Sequence, residues 1–108
     1  MRPLVVTAVL LLAASVASAG TEAPSPLLVI KDRRFVPDDL AIPAGVKVRL
    51  RVRNEDKTAS EFESIQLHRE KVVGPGAEVS VFVGPLDPGS YEVFDDFHPQ
   101  TRGRLIAR

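Results

Sequence analysis

The chain has 108 residues, with 14 Lys and Arg against 14 Asp and Glu, and it contains no cysteine. Its length leaves room for one domain, and its balanced charge provides no excess of cations for binding nucleic acid. No disulfide can form, so the domain must build its core unaided. Because Met1 is the only methionine, no sulfur ligand follows it.

The N-terminus resembles an export signal. Arg2 supplies a positive start, VVTAVLLLAASVA supplies an apolar run, and the A-S-A tripeptide ending at Ala19 matches a cleavage site. The run is shorter than the ~20 residues that span a bilayer, which favours cleavage over a retained anchor. We therefore expect a cleaved signal peptide over residues 1–19, a flexible lead-in over 20–26, and one periplasmic domain over 27–108 that does not span the membrane.

The first half of that domain contains short extended segments. The apolar LLVIK at 27–31 predicts a first strand, and a charged connection anchored by Phe35 leads to a short strand at 38–42. In the segment VKVRLRVR at 46–53, Val and Leu alternate with Lys and Arg. This alternation predicts a strand with one buried face and one solvated, cationic face.

The second half continues the pattern. SEFESIQL from Ser60 resumes extended structure, AEVSVFVG alternates again as far as Val83, YEVFDD from Tyr91 predicts another strand, and 103–107 predicts the closing strand. Turns rich in Gly and Pro recur roughly every 8–12 residues, and there is no helical stripe. The pattern predicts an all-β domain, an antiparallel β-sandwich or barrel.

Two segments resemble cupredoxins. Residues 35–54 read F-V-P-x-x-L-A-I-P-A-G-V-K-V-x-L-x-V-x-N, like the opening half of that family, and residues 88–99 read P-G-x-Y-x-x-x-D-x-x-H-P, like its metal-ligand loop. The likeness covers residues 27–108 and is greatest to the cupredoxin-like proteins of bacterial periplasmic iron-uptake systems. It implies a Greek-key cupredoxin-like β-sandwich and an iron or copper ion as cofactor. The implied partners are a membrane iron permease and its associated periplasmic iron-uptake proteins.

The resemblance breaks down at the residues that hold blue copper. Ser60 or Glu61 stands where a blue-copper protein has its first His, and Asp95 stands where it has Cys. His98 matches the second His, but the axial Met is absent. A blue-copper site depends on a thiolate, so a chain without sulfur after Met1 cannot build one. The expected iron or copper site is therefore of another type.

Oxygen donors dominate the region around the last loop. The predicted metal ligands are His98, Asp95, Glu63, Glu61, Asp96 and Glu70. One imidazole with several carboxylates suits Fe²⁺, Fe³⁺, Cu²⁺, Mn²⁺ or Zn²⁺, and does not suit Cu⁺. Strand alternation directs Asp95 inward with Tyr91 and Val93, where a carboxylate needs a partner, a metal or a proton. It also places Glu61 and Glu63 together on one face. In the related iron-uptake domains a glutamate after an aromatic residue is implicated in metal binding, a pattern that Glu63 fits.

Several candidates also have a simpler interpretation. His98 can hydrogen-bond its own loop, and Asp95 can cap a turn. Asp96 can be solvated, and Glu70 can pair with Lys71 or Arg69 on the surface. The sequence leaves these alternatives open.

The resemblance, the export signal and the carboxylate–histidine loop together predict a periplasmic metal-binding protein that supports iron uptake through a membrane permease. A ferroxidase-type accessory activity is a further interpretation, since oxygen ligands favour Fe³⁺ over Fe²⁺, but a binding protein is favoured over an enzyme. The alternative is a metal-free β-sandwich module that docks a membrane transport partner through the face of Arg49, Arg51 and Arg53.

Overall fold

The computed structural model describes residues 1–9 and 22–108. The predicted cleavage site and most of the predicted apolar run fall in residues 10–21, outside the described residues. The strands, in chain order, are β1 (Leu27–Lys31), β2 (Arg34–Val36), β3 (Asp39–Ile42), β4 (Val48–Asn54), β5 (Ser60–Ser64), β6 (Arg69–Val73), β7 (Glu78–Val83), β8 (Gly89–Asp95) and β9 (His98–Ala107). The described part of the chain contains no helix long and apolar enough to span a membrane.

The strands form two sheets that enclose one core. The four-stranded sheet has the order β2-β1-β4-β7, and the five-stranded sheet has the order β3-β9-β8-β5-β6. The prediction of an all-β sandwich is confirmed. Two of the strand pairs, β1–β4 and β3–β9, are parallel, so the sheets are mixed where the sequence predicted antiparallel pairing. The chain adds β3 to the second sheet before it returns to the first with β4, which lies next to β1.

The core is filled by alternate residues of the strands, as β4 illustrates. Val48, Leu50 and Val52 are fully buried, and the arginines between them face outward, as the alternation predicted. Val46, which was predicted to begin this buried row, is 43% exposed. It lies outside the strand, next to the turn at Gly45, whose φ is +75°. Each buried aliphatic side chain stabilises the fold by about 1.5–3 kcal/mol.

A strand, β2, lies within the segment that was predicted to be a charged connection. Phe35 is buried there, in agreement with its predicted role as an anchor. The preceding Asp32 and Arg33 have φ values of 52° and 56° and make a tight hairpin turn. The Asp56 carboxylate accepts their backbone N–H groups at 2.7 and 2.9 Å. The turn was missed because Asp-Arg is not a usual hairpin sequence and its support comes from a distant residue.

Gly103 is where β9 passes closest to the connection between β2 and β3. A Cβ at this position would lie 2.6 Å from the carbonyl oxygen of Asp38 and 3.1 Å from the ring of Phe35. We expect Gly103→Ala to lower the free energy of unfolding by about 1–3 kcal/mol, a typical cost of overpacking, as measured by urea denaturation. Gly74→Ala is the matched control, because no atom lies within 4 Å of its Cβ position. Equal losses in the two variants would contradict the steric explanation.

Candidate metal centre

The predicted ligands meet where β5, β8 and the turn after β8 come together. Phe62 pairs with Asp95, and Glu63 pairs with Phe94. Because side chains alternate along a strand, Phe62 and Asp95 face the core while Glu63 and Phe94 face outward. The six candidates therefore fall into two groups. We call them the inner pair, Asp95 and His98, and the outer cluster, Glu61, Glu63, Glu70 and Asp96.

Asp95 points inward and is completely buried, as predicted. Its Oδ1 accepts the backbone N–H of Glu61 at 2.9 Å and that of Phe97 at 3.0 Å. Its Oδ2 lies 2.9 Å from Nδ1 of His98, and the Ser60 hydroxyl also donates to this carboxylate. Four donors match the roughly four lone-pair positions of a carboxylate. In this arrangement both carboxylate oxygens of Asp95 are engaged by protein donors.

The hydrogen bonds keep Asp95 ionised inside the protein. Burial raises the pKa of this carboxyl group, because the charged form loses its hydration. The donors supplied by Ser60, Glu61, His98 and Phe97 outweigh that effect and hold the pKa below its ordinary value of 3.8. The buried charge is therefore stabilised by protein donors in place of water.

His98 is the first residue of β9, whereas the sequence predicted that the closing strand begins at residue 103. The strand is longer than predicted because only a two-residue turn separates it from β8. An ionised carboxylate can only accept hydrogen bonds, so Nδ1 of His98 must carry the proton shared with Asp95. The side chain is 21% exposed. Nε2 is thus the ring nitrogen that Asp95 leaves unengaged.

The outer cluster brings three glutamates close together. One carboxylate oxygen from each of Glu61, Glu63 and Glu70 lies within 4.8 Å of the others. Glu61 and Glu63 share the outward face of β5, as predicted, and Glu70 stands opposite Glu63 on the edge strand β6. Asp96 lies beside them, and its backbone N–H donates to the Glu61 carbonyl at 2.9 Å. The two glutamates on β5 are half-buried, and Glu70 is exposed.

Proximity and partial burial make Glu61 and Glu63 harder to ionise. Desolvation raises the pKa of Glu61 above its ordinary value of 4.5, and the charges of Glu70 and Asp96 raise it further. Desolvation also raises the pKa of Glu63, with Asp96 and Glu70 again adding to the shift. Either protons or a bound cation would relieve this repulsion.

This repulsion predicts a pH-dependent gain in stability when a glutamate of the cluster is neutralised. A carboxyl group whose pKa is higher in the folded state adds stability below its unfolded pKa, near 4.5, and that contribution is lost as the pH rises through the folded pKa. We expect Glu61→Gln and Glu63→Gln to raise the Tm of the metal-free protein at pH 7, with little change at pH 4. Glu55→Gln, at an exposed position, is the control. A fall in Tm at pH 7 would contradict the repulsion.

The two groups suit different ions. Blue copper does not fit the inner pair, because no thiolate is available and both oxygens of the Asp95 carboxylate already accept protein donors. The outer cluster offers carboxylate oxygens only, a donor set that suits iron, Mn²⁺ or Cu²⁺ more than Cu⁺. The structure therefore separates the predicted imidazole ligand from the glutamates with which it was expected to act.

Asn54 supports the site without being one of the predicted ligands. It is fully buried at the end of β4, where its Nδ2 donates to the carbonyls of Thr58 at 2.8 Å and Val73 at 3.1 Å. Its Oδ1 accepts the backbone N–H of Asp56 at 2.9 Å. The loop that it holds leads directly into β5. A usable signal was present, because Asn54 continues the inward-facing row of β4 and a buried amide requires partners.

Comparisons of sequence agree with the predicted fold family. The cupredoxin-like domain family matches residues 3–107. Over 79 residues the chain is 47% identical to the uncharacterized protein RP394 of Rickettsia prowazekii (strain Madrid E). That alignment takes 73% of this chain and 63% of the relative, so the chain spans less than two thirds of the relative's length.

Solved structures of cupredoxins are similar to this chain. Amicyanin from Paracoccus versutus has a TM-score of 0.62 at 17% identity, covering 85% of this chain and 87% of that one. A purple cupredoxin from Nitrosopumilus maritimus has a TM-score of 0.62 at 20% identity, covering 81% and 100%. The metal-binding domain of the Cu(I)-exporting P-type ATPase CopA of Streptococcus pneumoniae D39 has a TM-score of 0.67 at 11% identity, covering 78% and 84%. At these identities the likeness shows the fold, and the predicted cupredoxin-like β-sandwich is confirmed.

Proposed function

Because the chain belongs to the cupredoxin-like domain family, we propose that it is a periplasmic metal-binding protein that holds iron or a divalent copper ion for iron uptake through a membrane permease. The observation that carries the proposal is the outer cluster, in which carboxylate oxygens of Glu61, Glu63 and Glu70 lie within 4.8 Å of one another. The similar Streptococcus domain, which holds Cu(I), supports metal binding on this fold. The oxygen donors support a harder ion for this chain.

The same cluster supports an accessory role in iron oxidation. Three carboxylates balance the charge of Fe³⁺ and prefer it to Fe²⁺, so bound Fe²⁺ becomes easier to oxidise. With dioxygen as the electron acceptor, four Fe²⁺, four protons and one O₂ yield four Fe³⁺ and two water molecules. We place binding and delivery first and this oxidation second.

The periplasmic location and the membrane partner in this proposal rest on the sequence. The signal over residues 1–19 supports a periplasmic location, and the resemblance to iron-uptake proteins supports a membrane iron permease as the acceptor. The position of the cluster suits delivery, because Glu70 is exposed on the edge strand β6. An ion held there is open to a docking partner.

Metal titration tests the proposal directly. We expect the protein to bind one Cu²⁺, or one Fe²⁺ under anaerobic conditions, and Glu63→Gln to weaken binding by about tenfold or more, equivalent to ~1.4 kcal/mol. Glu55→Gln, which removes an exposed carboxylate elsewhere, should bind like the wild type. Equal metal affinities for the wild type and Glu63→Gln would rule out the outer cluster as the metal site. Binding of Fe²⁺ in air without O₂ consumption would rule out the accessory role in iron oxidation.

One observation favours the metal-free docking module as a second candidate. Lys47 Nζ lies 4.6 Å from the ring centre of Phe82, which is 44% exposed and pairs with exposed Arg49 across the strands. These residues form a cationic and aromatic patch on the outer face of the four-stranded sheet. Arg53 is less available for docking a partner, because its guanidinium pairs with the Glu78 carboxylate at 3.0 Å. Unchanged iron uptake in an Arg49→Glu variant would count against docking through this face.

A further inference from the structure

Around the inner pair, in a region that we call the inner pole, Asp95 binds the side chains of both Ser60 and His98. Asp95 and His98 stand where the family resemblance leads one to expect copper ligands, and Ser60 or Glu61 stands at a third such position. Asp95 and Ser60 are 0% and 1% exposed. Among the described residues, no buried side-chain polar atom lacks a hydrogen-bond partner. Every buried side-chain polar atom of the pole is therefore hydrogen-bonded without a cation.

The network also links neighbouring strands, as a bridging metal ion would. Backbone pairing between β5 and β8 covers only two residue pairs, Phe62–Asp95 and Glu63–Phe94. Beyond them the backbone N–H of Asp96 donates to the Glu61 carbonyl, and the Asp95 carboxylate extends the link by accepting the N–H of Glu61 from β5 and the N–H of Phe97 from the turn. Its bond to His98 ties in the start of β9. One carboxylate on β8 thus connects that strand with β5, with β9 and with the turn between β8 and β9.

We propose that this carboxylate-centred network replaces the metal at the inner pole, so that the pole does not take copper and Asp95 and His98 act as positioning residues. The charge balance agrees, because the protein supplies donors to a buried anion in the place where a cupredoxin supplies ligands to a cation. This inference does not depend on the proposed function, since the outer cluster lies on the other face of the sheet.

Two substitutions of His98 separate a positioning role from ligation. His98→Ala removes the donor to Asp95. His98→Asn keeps a side-chain N–H near the position of Nδ1 but is a poor replacement for an imidazole ligand. With EDTA present, we expect His98→Ala to lower the Tm by roughly 10 °C and His98→Asn to recover at least half of that loss. We also expect both variants to bind Cu²⁺ or Fe²⁺ within about twofold of the wild-type affinity.

The opposite pattern would overturn the inference. A tenfold or greater loss of metal affinity in both variants, or a Tm deficit that appears only when metal is added, would make His98 a ligand. If the protein binds no metal at all, the proposed function fails, while the EDTA measurements still test the network.

If His98→Ala does not fold, the ¹⁵N chemical shifts of the His98 ring in the wild-type protein provide the test. Protonated Nδ1 with unprotonated Nε2 supports the network, and the reverse tautomer contradicts it.

Discussion

Asp95→Ala should lower the free energy of unfolding by about 4 kcal/mol and the Tm by roughly 20 °C, since a buried donor left without its acceptor costs ~1–3 kcal/mol. The substitution removes the acceptor for the backbone N–H groups of Glu61 and Phe97 and for the side chains of His98 and Ser60. It also opens the junction between β5 and β8. Chemical denaturation with EDTA present measures the loss directly. A loss below about 1 kcal/mol would contradict the network.

Asp95→Asn provides the control that isolates the charge. Its amide oxygen still accepts the two backbone N–H groups, so we expect a smaller loss at pH 7 than for alanine. The folded-state pKa of Asp95 is depressed, so its contribution to stability is complete above the unfolded value near 3.8 and is lost as the pH falls through the folded pKa. The stability gap between wild type and Asp95→Asn should therefore shrink below about pH 4. A gap that is constant with pH would argue against an ionised Asp95.

Asn54→Ala should cost about 3 kcal/mol, because it strips hydrogen bonds from a fully buried position. The carbonyl of Val73 loses its bond from the amide, and the backbone N–H of Asp56 loses its acceptor. The damage should spread to the hairpin turn between β1 and β2, because Asp56 holds the N–H groups of Asp32 and Arg33. Hydrogen exchange should report faster exchange at those two amides.

Asp56→Asn is the matched control for this prediction. It keeps an oxygen that can accept from the turn, and it leaves the Asn54 side chain and its bonds to Thr58 and Val73 in place. We expect a loss below about 1 kcal/mol. A loss equal to that of Asn54→Ala would mean that the contact with the turn dominates and that the buried amide contributes little.

The fold followed from patterns that are local in the sequence. Alternation in β4 identified its buried row, and the glycine and proline turns separated the strands. The error at Val46 arose because periodicity does not mark where a strand begins. The hairpin turn at Asp32 was missed because it depends on Asp56, which is 24 residues away. Long-range support of this kind leaves no local signature.

The site was predictable in its parts but not in its assembly. The sequence directed Asp95 inward and placed Glu61 and Glu63 on one face, and the structure agrees. The sequence predicted that the Asp95 carboxylate and the side chains of those glutamates bind one metal ion together. In the structure, Asp95 instead accepts a hydrogen bond from the backbone N–H of Glu61. That difference depends on how β5 pairs with β8. Pairing between strands so far apart in the chain is set by the tertiary fold and cannot be read from alternation alone.

We propose that a metal ion occupies the outer cluster and leaves the inner pair untouched. Pulsed electron paramagnetic resonance of the protein loaded with one equivalent of Cu²⁺ tests it most directly, because a coordinated imidazole gives a characteristic nitrogen modulation. We predict oxygen coordination that is disturbed in Glu63→Gln and unchanged in His98→Asn. An imidazole modulation in the wild-type protein that disappears in His98→Asn would contradict the claim.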